Sequence, residues 1–156
     1  MNWKRSSIAL FAALLVHLSP LAGLAQSSAN KPVAAKVILD TDIGDDIDDV
    51  FALSLVLTSP ELHLLGITSA WGDTALRSRM LDRLLCETGR DDIPVYTGIP
   101  TKAEAKFSQQ PWASQGIEHT HGDAITFLLD QIRQNPGEIT LIAIAPLPIS
   151  GAAIDR

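Results

Sequence analysis

A single cysteine, Cys86, stands in the 156 residues, so no intrachain disulfide can form and stability must come from the core or a bound ion. Its neighbours place it at a half-buried helix position. Aromatic residues make up only 5%, which argues against the stacking platforms that bind single-stranded nucleic acid. Basic residues are few, 12 against 18 acidic, and a formal charge of −6 would repel phosphate backbones. No nucleic-acid polymer is therefore expected as a partner; a small neutral or cationic ligand, or a metal ion, fits better. No apolar run reaches the ~20 residues that cross a bilayer, so stable membrane insertion is not expected. Internal repeats and low-complexity segments are also missing.

What is present begins with an export pattern. Lys4 and Arg5 form a basic start, Ile8 to Val16 a short apolar stretch, and Gly23-Leu24-Ala25 the small residues that signal peptidase needs. Residues 1–25 thus read as a signal peptide cleaved near Ala25, with a secreted or periplasmic product. Residues 26–35 read as an unstructured linker and 36–156 as the folded part, of a size to form one domain with one site.

Within that part, apolar runs alternate with helical spacing. Val37-Ile38-Leu39, Leu62 to Ser69, Ile93 to Tyr96 and Ile139 to Ala145 predict four buried strands. Residues 48–58, with Val50, Leu53 and Leu57, predict a helix. A second covers 74–88, with Leu76, Met80, Leu84 and Leu85 on one face and Gly89 closing it; a third covers 123–134, through Phe127, Leu128 and Ile132. Residues 98–118 form a long polar connection of the kind that covers ligands. Apolar strands alternating with helices imply an α/β fold, an open parallel sheet with helices on both faces.

The chemistry concentrates at the end of the first strand. Asp40, Asp42, Asp45, Asp46, Asp48 and Asp49 put six carboxylates in ten residues. At the carboxyl edge of an open α/β sheet, where such folds bind ligands, these acids would repel one another strongly in a low-dielectric crevice. A bound cation removes that repulsion. Oxygen donors without cysteine or paired histidine favour a hard ion, and a crowded irregular set suits calcium better than magnesium. The plainer reading is a solvated turn whose acids cap the next helix, but one or two would suffice for that. An EF-hand is excluded: counted from Asp40, Gly44 comes one position early and Phe51 stands where its bidentate Glu belongs.

The stretch ILDTDIGDDIDDVFAL resembles the signature of the inosine-uridine-preferring nucleoside hydrolases, a strand followed by Asp-x-Asp-Pro-Gly-x-Asp-Asp-Ala. Asp40, Asp42, Gly44, Asp48 and Asp49 match in order, with Ile43 in place of Pro and two extra residues. LLGITSAWGD, GRDDIPVYTG and NPGEITLIAIAPL resemble the later strands and their flanks. The resemblance implies calcium-dependent hydrolysis of the N-glycosidic bond of ribonucleosides, giving ribose and free base, with a small-molecule nucleoside as partner and a homo-oligomer left open. It implies that Asp42 is both a calcium ligand and the general base, and that Asp49 and the Ile144 carbonyl are further calcium ligands. Asp48 would bind a ribose hydroxyl, and Asp73, where many members have Asn, would contact ribose as an acceptor only. Asp40 would support the network from behind, while Asp45 and Asp46 receive no role. It further implies an N-terminal part of the family domain, truncated, whose turnover alone is low or nil.

Other residues invite weaker readings. Asp73 serves equally as the cap of the following helix. His119 and His121 suggest a metal pair but read better as solvated, and Trp112 reads better as packing than as a base-stacking ring. Two competing functions remain. Asp40-Thr41-Asp42 also resembles the nucleophile motif of haloacid-dehalogenase-type phosphatases, although that class expects Thr or Val where Gly44 sits. A non-enzymatic calcium-binding exported protein is the other.

Overall fold

A computed structural model describes residues 33–102 and 107–155. The signal-peptide reading of 1–25 and most of the linker lie outside the described residues.

Five parallel strands form one sheet in the order β4-β3-β2-β1-β5. They are β1 (Ala35–Thr41), β2 (Leu62–Ser69), β3 (Val95–Thr97), β4 (Gly122–Asp123) and β5 (Ile139–Ala143). The helices between and after them are α1 (Asp48–Thr58), α2 (Thr74–Glu87), the short α3 (Gln110–Ala113), α4 (Ala124–Gln134) and α5 (Pro148–Ile154). Ala35 belongs to β1 rather than to the linker, because its N–H donates to the Glu61 carbonyl and pairs the strand one residue earlier than expected. The two-residue β4 and α3 were not expected at all. Both sit in or beside the polar 98–118 connection, where no apolar period marks them.

Strand alternation builds two cores, one on each face. Leu39, Ile67 and Val95 pack beneath α1, α2 and α3 with Leu53, Met80, Leu81 and Leu85, while Ile38 meets Ile125, Phe127, Leu128 and Ile149 of α4 and α5. Adjacent residues on β1 thus serve opposite cores, as period-2 geometry requires. Helices on both faces of a parallel sheet are therefore observed. Cys86 is exposed rather than half-buried, one position past the buried Leu85 and so about 100° round the helix from it. Among the described residues no helix is long and apolar enough to cross a membrane.

Asp123 caps α4, its carboxylate accepting from the Thr126 N–H at 2.8 Å and the Thr126 hydroxyl at 2.7 Å. Asp123→Ala is expected to cost about 1 kcal/mol of unfolding free energy, read from urea midpoints. No change would mean that the cap bonds are replaced by water.

Topology also fixes where a ligand would bind. From β1 the chain builds outward through β2, β3 and β4, then returns to place β5 on the other side of β1. The switch point is the gap between β1 and β5. In open α/β sheets the crevice outside the carboxyl ends of such a strand pair takes the ligand.

Candidate active site

The acidic turn leaves β1 at this switch point. Asp40, next to last in β1, is fully buried and paired in register with Thr68 of β2 and Ala143 of β5. Its Oδ1 accepts from the Thr68 hydroxyl at 2.6 Å, and its Oδ2 is buried with no hydrogen-bond partner. Burial pushes its pKa up to about 6, with the Thr68 bond opposing and nearby Asp42 reinforcing that rise. Asp49 is buried in the first turn of α1, where it accepts from the Thr41 hydroxyl at 2.5 Å. Desolvation raises its pKa; the Thr41 bond works against this, and Asp42 and Asp48 add to it. Asp42 is half-buried, also raised by desolvation, with the Arg77 guanidinium pulling the other way. Asp46 and Asp48 are exposed.

None of these acids caps α1. Its cap residue is Ile47, which makes no side-chain cap bond, so the capping part of the plainer reading fails, while Asp48 and Asp49 do stand in the first turn, where acids complement the helix dipole. Asp73 does cap α2, with Oδ1 accepting from the Leu76 N–H at 3.0 Å. Ile144 lies one residue beyond β5, not within it, and its N–H donates to the Asp40 carbonyl at 2.9 Å. The backbone that would offer the Ile144 carbonyl is thus tied to the acidic turn. Among the described residues no three His, Cys, Asp or Glu side chains converge to hold an ion.

Sequence reasoning missed Arg77. Its side chain is 1% exposed, and Nε donates to the Trp71 carbonyl at 2.8 Å. Nη1 donates to the carbonyls of Asp42 and Ile43, Nη2 pairs with Asp45 at 2.7 Å, and the guanidinium lies over the Phe107 ring. A signal existed: residues 77, 81 and 84 share the buried helix face, and a charge there has to find partners.

Two cavities lie in this part of the fold, of which only the second touches the acidic turn. One of about 460 Å³ is lined by Asp73, Arg79, Thr97, Glu118, His119 and His121; another of about 530 Å³ lies between Asp45, Asp46, Val50, Met80 and Trp112. Neither is lined by Asp40, Asp42 or Asp49. His121 is not solvated as expected: its side chain is 11% exposed, with Nδ1 3.2 Å from the Val95 carbonyl and Nε2 3.0 Å from Asp82. That last approach is close but poorly aligned for a hydrogen bond. Trp112 packs against the core and carries Arg83 over its ring, as a packing residue does.

Residues 37–149 match the family model for inosine-uridine preferring nucleoside hydrolases. The chain belongs to that family. A probable uridine nucleosidase 2 of Arabidopsis thaliana is 36% identical over 128 residues, covering 72% of this chain and 39% of that protein. A pyrimidine-specific ribonucleoside hydrolase, RihB, of Escherichia coli O157:H7 is 29% identical over 134 residues, with the same coverage of 72% and 39%. Among solved structures, a plant nucleoside hydrolase superposes with a TM-score of 0.67 at 30% identity, covering 78% of this chain and 42% of that one. The chain thus spans about two-fifths of the length of the relatives it matches. The nucleoside hydrolase signature lies at the switch point, where Thr68 holds its Asp40, Thr41 holds its Asp49, and Arg77 binds the main-chain carbonyl of its Asp42.

Proposed function

We propose that the acidic turn serves calcium-dependent hydrolysis of ribonucleosides, and that Asp42, Asp49 and the Ile144 carbonyl contribute ligands to the ion. The observation that carries this reading is Asp40, a fully buried carboxylate with one oxygen unpartnered, beside two further carboxylates whose ionisation burial opposes. Such a set is all oxygen, and although its side chains do not converge on one point, oxygen donors of this kind suit a hard divalent cation. Bound there, calcium supplies charge that favours the ionised carboxylates and fixes the hydroxyls of a ribosyl group.

The chain's own residues then divide the work. Asp42, ionised beside the cation, accepts a proton from the attacking water. Asp48, exposed at the start of α1, accepts from a ribose hydroxyl, and Asp73 can do so with the oxygen that does not cap α2. Asp40 holds the floor of the site through Thr68. The substrate is a ribonucleoside, uridine among them, on the strength of the relatives' names. Export with cleavage near Ala25 is part of the same proposal, and N-terminal sequencing that finds Met1 intact would count against it.

Calcium is expected to raise the thermal midpoint by mass action, and Asp42→Ala or Asp49→Ala to abolish the rise. Ribose release from uridine and inosine, low or nil from this chain by itself, without phosphate release from an aryl phosphate, is the activity expected of the site. An unchanged midpoint at saturating calcium sinks the cation; phosphate release alone moves the protein to the phosphatase class.

A further inference from the structure

Two loops carry the residues assigned to the ligand, the acidic turn after β1 and the Trp71-Gly72-Asp73 turn after β2. Both loops are irregular; Ile43 anchors the first in the core and Thr101 pairs with Gly72 of the second, but neither contact joins one loop to the other. Trp71 has φ 63° and Gly72 φ 64°, and a left-handed conformation is costly for a bulky residue such as Trp71. Something must hold it.

Arg77 touches both loops at once. Its Nε binds the Trp71 carbonyl, its Nη1 the carbonyls of Asp42 and Ile43, and its Nη2 the Asp45 carboxylate. The planar fork makes these bonds in fixed relative directions, which a lysine could not reproduce. The helix that carries it is anchored in the core by Met80, Leu81 and Leu85, so the fork is a rigid reference.

We propose that Arg77 is a positioning residue that sets the distance and orientation between the acidic turn and the Trp71–Asp73 turn, and thereby the affinity of the site for calcium. This rests on the reading that the acidic turn binds calcium. The electrostatic expectation has the opposite sign. Arg77 is a cation that pairs with Asp45 and favours the charged forms of Asp42 and Asp49, so by charge alone its removal should tighten calcium binding. If it positions the loops, its removal weakens binding despite the favourable change in charge.

The test compares the full chain with Arg77→Gln, Arg77→Lys and the exposed control Arg133→Gln, using calcium alone as the probe. Calorimetry is expected to show calcium Kd raised ~10-fold or more in both Arg77 variants, the range seen when groups that orient metal ligands are lost. Arg77→Lys keeps the charge and remains informative if Arg77→Gln does not fold. Hydrogen–deuterium exchange without metal provides a second readout: faster exchange is expected at 42–49 and 71–74 together, with 78–86 unchanged. Unchanged or tighter calcium binding in a folded Arg77→Gln, or parent affinity restored by Arg77→Lys, overturns the proposal. If the parent binds no calcium, the cation reading fails by itself, and exchange that stays at parent rates in both loops then overturns the role of Arg77 separately.

Discussion

Asp40→Asn is expected to gain about 3 kcal/mol of stability over the metal-free parent between pH 4 and pH 8, on top of any constant cost of burying its amide where Asp40 Oδ2 has no partner. The carboxyl loses its proton at about 6 in the folded chain against 3.8 ordinarily, because burial disfavours the charged form more than the Thr68 hydroxyl favours it. The unfolded chain therefore releases the proton first, and between about 4 and 6 the folded state holds more protons. Stability must fall as pH rises through that window, and the deficit is complete above it. The difference of about two pH units corresponds to about 3 kcal/mol at ~1.4 kcal/mol per unit. Asn keeps an acceptor for Thr68 and never ionises, so it escapes the deficit. Urea midpoints for both proteins, in chelator, from pH 4 to pH 8, measure it; parallel curves would show that Asp40 does not titrate in that window. Saturating calcium should narrow the gap by stabilising the parent, because a cation beside Asp40 favours the ionised form. A group that destabilises the metal-free fold and is relieved by a ligand belongs to a site rather than to a scaffold.

How far the sequence reveals such a site depends on the scale of the contact. Apolar runs are local, so β1, β2, α1, α2 and α4 were legible to within a residue or two, and alternation along Val37-Ile38-Leu39 implied coverage on both faces. The acidic turn was legible because six Asp in ten residues have few physical explanations. Thr68 was not, because its bond to Asp40 depends on the register of β2 against β1, which leaves no local trace. Arg77 was hidden differently. The helical face was read for its leucines, and the charged residue at the same spacing went unremarked, although it touches both functional loops. His121 was misjudged for a third reason: a histidine in a polar stretch reads as solvated, yet the loop folds back over α2 and buries it against Asp82. The short β3 begins at Val95 rather than Ile93, since Pro94 has no N–H to give to a neighbouring strand.

Gly44 carries the other large effect, and it explains why the signature needs glycine at that point. The residue has φ 121°, a conformation that side chains rarely adopt, and a Cβ built on it would lie 1.8 Å from Cε2 of Phe107. Phe107 opens a short strap whose next two residues close on the same backbone: the Ser108 hydroxyl and the Gln109 N–H both donate to the Gly44 carbonyl, at 2.9 and 3.0 Å. The ring cannot simply retreat, because its face carries the Arg77 guanidinium, 4.7 Å from its centroid. Gly44→Ala is therefore expected to cost about 2–6 kcal/mol, the sum of roughly equal contributions from backbone strain and overpacking. The two causes separate in a Phe107→Ala background, where the clash has gone and only the φ strain, about 1–3 kcal/mol, should remain. Equal costs in both backgrounds would assign the whole effect to the backbone, and a single-variant cost below about 1 kcal/mol would mean that the turn relaxes freely. The coupled outcome has a consequence for the site. A methyl group at position 44 would push Phe107 against Arg77, and through its guanidinium the strain would reach Asp42, Asp45 and Trp71, so calcium affinity should fall together with stability in Gly44→Ala and recover in part when Phe107 is removed.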